Sequence, residues 1–594
     1  MSSRRVRERP LVRLFLLRFL EHDLVSPKAD RHEMLSAVGG TIVAVSLFLA
    51  VLVALQYQFN NFLPPGLTSL RSVDERFLFT SASMLVMALL GVAVWDGLAL
   101  DARDAAILGV LPLRRSVIVR SKFTAVALLA AGTLVAWNLA PILLRPVSLP
   151  LTLPIGMRGL TVLTLSNALV TLSAGAFGFL AVFALREALA ALLGQTRFHA
   201  ISSFAQMVLV VALISALLLL PGASMDVART WLAPERPARA ALPPLWFVGW
   251  HETLAGSVID VLPRTTPARY LVNAEREATR LYRSLWPVFH ELGRRALASL
   301  AIVIVVTIVA CAWNSRRLPA PAVRSRRRRS AAGRMGAWIV THMVATSSLE
   351  QAGFWFTLHT VPRQVTHRAV LAAALAVGVS LMLVAVHGRV LMVQADVAAI
   401  PLSVLAAQSL LVASVLTGFR HATQLPANLR AGTTFSLSWT GDLRPYLSGV
   451  KRAGLVAVAL PILAAAFVWH ALVLGVHVAM LHVVTGAAFS LLMTETLFLH
   501  YRRVPLVSAH IPSADVKSRA PAYVLAILAL SYLLAWIERF ALSGGRAEYV
   551  LFIGALAALA AGVAVLDRVW HSTALALDLD EESPPPTQRL NLAG

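Results

Sequence analysis

Residues 296–313 read Ala-Leu-Ala-Ser-Leu-Ala-Ile-Val-Ile-Val-Val-Thr-Ile-Val-Ala-Cys-Ala-Trp, eighteen positions without a charge. A soluble core does not need a run of this length, whereas a bilayer core about 30 Å thick asks for roughly 20 apolar residues of helix. Lipid offers backbone N–H and C=O groups no partner, so a spanning segment of this kind must be helical. Before it lie similar stretches at 36–59, 79–98, 123–144, 160–185 and 204–220. After it come 369–386, 397–418, 453–472, 476–499, 521–537 and 549–566. The fold class expected is an all-α polytopic membrane protein of about twelve transmembrane helices in two six-helix halves. Regions 160–193 and 453–499 are long enough to be divided in other ways.

Composition agrees with this reading. The 594-residue chain is 58% hydrophobic and 14% charged, with a mean hydropathy of +0.72. Its 53 Lys+Arg against 30 Asp+Glu give a net charge of +23. In a soluble protein that excess would suggest nucleic acid, but no zinc finger, RNP motif or similar reader is present, so no nucleic-acid partner is expected. Arginine instead collects in loops as a topology signal and meets anionic headgroups, making membrane lipids a partner. The lone cysteine, Cys311, excludes an intramolecular disulfide and argues against a cysteine metal site. The N-terminal Met-Ser-Ser-Arg-Arg stretch lacks a small-residue cleavage site after its apolar patch and is read as retained.

Charge also orients the spans. From an inner N-terminus, the inner loops hold Arg114, Arg115, Arg120 and Lys122, then Arg186 and Arg197, then Arg316, Arg317 and Arg326 to Arg329. Arg444, Lys451 and Arg452 follow, and finally Arg502, Arg503, Lys517 and Arg519. The short outer loops are poorer: Arg71 and Arg76 are offset by Asp74 and Glu75, and 149–157 has no charge. Both termini are therefore expected in the cytoplasm.

Between the spans, residues 1–35 form a basic segment in which Leu11, Leu14, Phe15 and Phe19 share one face of an interfacial helix. A soluble cap helix is the alternative. Residues 36–313 make the first half, including an outer segment at 222–295. In that segment the string Leu-Pro-Pro-Leu-Trp-Phe-Val-Gly-Trp at 242–250 suits the headgroup belt through Trp246, Phe247 and Trp250. A basic cytoplasmic linker (314–368) leads to the second half (369–566) and to an acidic, proline-containing tail (567–594) expected to be disordered.

No Gly-x-x-x-x-Gly-Lys-Ser/Thr, Gly-x-Ser-x-Gly or His-Glu-x-x-His motif occurs, so no catalytic residue, cofactor or metal is expected in this chain. Among ionisable groups within spans, Asp96 and Glu495 lie near inner ends, where they reach the interface. His470, His477 and His482 gather around an outer turn, with a haem or metal site set against polar packing.

The connector at 101–122 carries more information: Asp-Ala-Arg-Asp-Ala-Ala-Ile-Leu-Gly-Val-Leu-Pro-Leu-Arg-Arg-Ser-Val-Ile-Val-Arg-Ser-Lys. A plain connector has no need of an apolar patch such as 105–111. Docking of a cytoplasmic partner explains the patch, and folding back onto the bilayer is the alternative. The acidic start, Ile-Leu, Leu-Pro-Leu-Arg-Arg-Ser and a lysine before the next span resemble the loop after the second span in type-2 ATP-binding-cassette (ABC) exporter permeases. The interfacial N-terminal helix, inner termini and six-span half of residues 10–313 are similar too.

That resemblance implies an ATPase-coupling loop. Asp101 and Asp104 form its acidic lead, Leu108 and Leu111 its docking knobs, Pro112 its turn, and Arg114, Arg115 and Lys122 its basic exit. It also implies a separate cytoplasmic P-loop ATPase, which holds the ATP and Mg, and a location in a bacterial-type plasma membrane. Self-association is left open. The second half carries a related loop at 420–452, with Leu425, Pro426, Arg430 and Arg444 as a second inner contact. The inner loop at 504–519 has no assigned role. The function expected is the permease part of an exporter that moves an amphiphilic or otherwise unidentified substrate. The alternatives are a proton-coupled secondary transporter relying on Asp96 or Glu495, and a membrane enzyme acting on lipid-linked substrates.

Overall fold

The computed structural model describes residues 10–16, 31–59, 65–95, 115–148, 156–232, 241–259, 272–316, 344–386, 400–426, 443–499, 501, 504–507 and 515–573. Among them every regular element is helical. Eleven helices are long and apolar enough to cross a membrane, and Gly39–Leu55 adds a shorter apolar stretch. The protein is thus an all-α polytopic membrane protein of about twelve helices. Its contacts divide it into two compact units, Met1–Val323 and Arg324–Gly594.

The first unit contains α1 (10–16), α2 (Arg31–Phe59), α3 (Pro65–Ala93), α4 (Arg115–Ser148) and α5 (Met157–Ala223). It continues through α6 (Val227–Thr230), α7 (Pro243–Ile259), α8 (Val272–Ser284) and α9 (Trp286–Arg316). Sixty-seven residues of helix cannot stand straight across a bilayer, and α5 breaks at Gly194, whose φ of 72° suits a residue without Cβ. Val182 packs on Gly91 while Gln206 Nε2 donates to the Val92 carbonyl. These two residues stand at equal separations on either side of Gly194, so the chain folds back there and lays both arms against α3.

Helix α3 is the most enclosed span of this unit, with 67% of its apolar window buried. Small residues permit that enclosure: a Cβ on Gly178 would lie 2.3 Å from the Met84 carbonyl oxygen. Such approaches, with side-chain hydrogen bonds, hold helices together where lipid supplies no hydrophobic drive. Asn138 Nδ2 donates to Ser83 Oγ (3.0 Å), and Ser83 Oγ donates to the Thr171 carbonyl (3.1 Å).

The apolar run predicts a second span starting near residue 79, but α3 begins at Pro65 and carries Arg71, Asp74, Glu75 and Arg76 inside the helix. A hydropathy reading ends a span at its first charges; here the covering segment satisfies them. Arg76 is ion-paired with Glu252 of α7, both buried. Tyr282 of α8 donates to Glu252 Oε2 at 2.6 Å. Asp74 accepts the Val227 N–H at 2.8 Å. The headgroup-belt expectation for Phe247 is corrected as well. Phe247 is fully buried, with its ring 5.5 Å from that of Phe177. Gly249 and Gly293 bring α7 close against α9, which turns the aromatic string inward.

The second unit contains α10 (Ser348–Thr360), α11 (Val365–Val386), α12 (Leu402–Ala422) and α13 (Leu443–Gly454). Helix α13 passes through a π-helical segment, Leu455–Ala459, into α14 (Leu460–Leu474). Then follow α15 (Val476–Leu497), α16 (Asp515–Gly544) and α17 (Arg546–Thr573). Gly475 (φ 84°) and Gly545 (φ 107°) turn the chain between α14 and α15 and between α16 and α17. Helix α12 is the enclosed one here, with 78% of its window buried. It lies against α11 through Gly378 and Gly418 and meets α15 at Gly486.

Helix α10 is started by a reciprocal capping box between Ser347 and Glu350. It crosses α13 closely: a Cβ on Gly353 would lie 2.2 Å from the Tyr446 oxygen, and one on Gly449 2.0 Å from the Glu350 oxygen. Helix α13 starts at Leu443, well before the apolar run at 453–472, because α10 covers its amphipathic first turns.

Candidate functional site

The connector residues Asp101, Asp104, Leu108, Leu111, Pro112 and Arg114 lie outside the described residues, as does Asp96. Their point of exit is described. Arg115 opens α4, a single helix of 34 residues, roughly 51 Å long at 1.5 Å per residue. A hydrocarbon core of about 30 Å cannot contain that length; the apolar span covers Arg120–Leu144, and residues 115–119 extend it as continuous helix on the basic side. Helix α1 packs on the start of α4: Phe15 is fully buried against Ile118 and Ala125, and the Lys122 ammonium stands 5.6 Å from the Phe15 ring centre. Leu11 and Leu16 are partly buried beside it, while Leu14, expected on the same face, is exposed. Phe19 falls outside the described residues.

In the second unit the structure draws part of the expected contact loop inward. Leu425 is buried, and its carbonyl lies 3.1 Å from His367 Nε2. Pro426 is half-buried, Arg444 is exposed in the first turn of α13, and Arg430 lies outside the described residues. The first turn of the unassigned 504–519 loop seals the end of α12. The Leu506 N–H donates to the Thr423 carbonyl at 2.8 Å, and the Tyr501 hydroxyl donates to the same carbonyl at 3.1 Å. The Arg420 guanidinium sits 4.3 Å from the Tyr501 ring centre and 5.6 Å from that of Phe498.

Glu350 links α10 to α13, with Arg452 Nη1 2.9 Å from its Oε2. Burial alone would raise its carboxyl; the Ser347 and Thr346 backbone N–H groups and the Arg452 guanidinium instead hold it below its ordinary value.

Ionisable groups meet again deeper in this unit. Glu495 is paired with Lys451 Nζ at 2.7 Å, and Lys451 also reaches Asp567 Oδ2 at 3.1 Å. One ammonium therefore ties α13, α15 and α17 together, which suits a structural staple. The histidines separate: His477 is exposed, whereas the rings of His470 and His482 are 4.4 Å apart. His482 Nδ1 lies 2.8 Å from Glu538 Oε1, the two side chains 2% and 1% exposed. Tyr549 joins the cluster through Thr485, its hydroxyl 3.2 Å from Thr485 Oγ1.

Glu538 gives no signal in the sequence, because the apolar run of the eleventh span stops at Ile537. The pair is fifty-six positions apart, so spacing does not betray it either. Among the described residues no group of three or more His, Cys, Asp or Glu is placed to hold a metal ion. No family model, no curated protein and no solved structure matches the chain.

Proposed function

We propose that this chain is the membrane-spanning permease part of an ABC-type exporter, driven by a separate cytoplasmic P-loop ATPase that binds the ATP and Mg. The observation that carries the reading is α4, whose basic start runs without interruption from the end of the connector into a span. A load placed on residues 101–114 passes along the axis of such a rod, and α1, clamped on it through Phe15, moves with it. The second unit offers a parallel support: α10 lies across α13 as α1 lies across the start of α4. In this reading, nucleotide-driven closure of the ATPase tilts α4 against α3 and α5, and the apolar faces thus exposed pass an amphiphilic substrate. The membrane is a plasma membrane of bacterial type, and catalysis resides wholly in the partner.

The test is association. Full-length chain and candidate ATPases are co-purified, and the variant Leu108→Asp/Leu111→Asp is compared. The expected result is at least a tenfold loss of association, since two charges would replace the two apolar knobs. Unchanged association sinks the docking assignment, and transport with no ATPase present would return the chain to the proton-coupled class.

A further inference from the structure

We propose that His482 and Glu538, with His470 alongside, form an intramembrane proton-binding site in the second unit. The exporter reading does not require it, and it stands on separate observations. The cluster is enclosed: His470, His482 and Glu538 are each 1% exposed. Five helices contribute to it among the described residues. Helix α12 brings Gln408, whose Nε2 donates to the His482 carbonyl at 2.8 Å, and the Val404 carbonyl, 3.2 Å from His470 Nε2. Helix α14 brings His470, whose Nδ1 lies 2.8 Å from the Ala466 carbonyl. Helix α15 brings His482 and Thr485, α16 brings Glu538, and α17 brings Tyr549. Arg539, the cation next to Glu538 in sequence, faces the Ile400 carbonyl instead.

Among the described residues, therefore, no lysine or arginine neutralises Glu538 in the contacts of this cluster. With Glu538 ionised and His482 neutral, Nδ1–H donates to the carboxylate, and the pair carries one uncompensated negative charge in a low-dielectric interior. That is an expensive state for a membrane. Among the described residues, buried His482 Nε2 has no hydrogen-bond partner, which leaves a bare lone pair at a position able to correct the charge. A proton taken from water forms the N–H bond at Nε2, and the pair changes from one negative charge to none. The same proton count is reached with the proton on Glu538 and Nδ1 accepting, so the proton belongs to the pair. Carbonyl oxygens face both ring nitrogens of His470; a neutral ring donates to only one of them, so His470 stands beside His482 as a second ring able to share the proton.

Helix α14, which carries His470, follows directly on the π-helical segment Leu455–Ala459, has Pro461 in its first turn and ends at Gly475. A π-segment is a place where a helix readily changes register, and a shift there would part His470 from His482 and admit water.

The test uses the full chain in vesicles of phosphatidylcholine and phosphatidylglycerol with no ATPase present. Failure here therefore leaves the exporter reading standing, and the reverse also holds. Infrared difference spectra between about pH 5 and about pH 9 are recorded for wild type, Glu538→Gln and His482→Gln. Wild type is expected to release about one proton per chain more than either variant. The release is read as a carboxylate or neutral-imidazole signal absent from both variants that shifts when H2O is exchanged for D2O. A static ion pair would show neither property, and identical difference spectra from all three proteins overturn the proposal. Should a variant not yield monodisperse protein, 15N-histidine-labelled wild type carries the test alone. A ring nitrogen hydrogen-bonded to a carboxylate, with protonation that follows pH, supports the site; no such titrating histidine overturns it.

Discussion

Helices α3 and α12 are each the second long helix of their unit, and each is the most enclosed, 67% of the window buried in one and 78% in the other. What encloses them differs. Around α3, beyond its buried Arg76–Glu252 pair, the polar contacts along the apolar stretch are neutral: Asn138, Ser83 and Thr171 exchange hydrogen bonds, and Gly178 lets two backbones touch. Around α12 the contacts include His470, His482 and Glu538, with Gln408 of α12 itself bound to the His482 carbonyl. Neutral contacts of this kind have one protonation state and hold one geometry. An ionisable cluster has at least two states and so can be switched. The apolar stretch of α3 is therefore read as the part that keeps its geometry under a mechanical load, and the cluster beside α12 as the part whose internal charge can change.

The largest effect that would sharpen this contrast is expected at Glu538. Glu538→Leu leaves His482 without its partner and should cost about 3 kcal/mol, whereas Glu538→Leu/His482→Leu should recover most of that loss. Melting in detergent is read by a thiol-reactive dye at Ser414→Cys in a Cys311→Ser background. An equal loss in single and double variants would break the comparison. Next comes Gly178→Ala in the first unit, read at native Cys311. Its methyl meets the Met84 backbone rather than a side chain that can swing away, so about 2 kcal/mol should be lost.

A smaller effect, about 1 kcal/mol, is expected from Glu350 at the α10–α13 crossing. Its carboxyl is held below the ordinary 4.5, so its contribution is complete above that value and is lost as pH falls through the folded one. The melting point of wild type should therefore fall on acidification below about pH 4.5 more steeply than that of Glu350→Gln, and parallel slopes would contradict the contact. The smallest effect belongs to Asn138→Ala, about 0.6 kcal/mol, as is usual for one hydrogen bond between membrane helices. A loss as large as that at Glu538 would mean that the neutral network of the first unit stabilises its helices no less strongly than the ionic one does.

Apolar runs disclosed the number and rough place of the helices because a bilayer imposes length and hydropathy together. They misplaced the start of α3, where Arg76 and Asp74 are satisfied by α7 and α6, residues far along the chain. They likewise missed the first turns of α13, whose apolar side is covered by α10. The histidines were visible as a group, yet His477 drops out, while Glu538 enters from another helix, a pairing that only the fold creates. The connector was the clearest functional signal in the sequence, and of the eight coupling residues named in it only Arg115 and Lys122 fall on α4 within the described chain.

The central claim is that α4 carries motion from an ATPase into the membrane, and a distance measurement tests it most directly. Spin labels at Arg120→Cys and Met157→Cys, both exposed positions, are placed in a Cys311→Ser background and read by pulsed electron resonance in vesicles. With the ATPase bound, adding nucleotide should change that distance by several ångströms, and without the ATPase it should change nothing. A distance indifferent to nucleotide in the assembled complex would contradict the account.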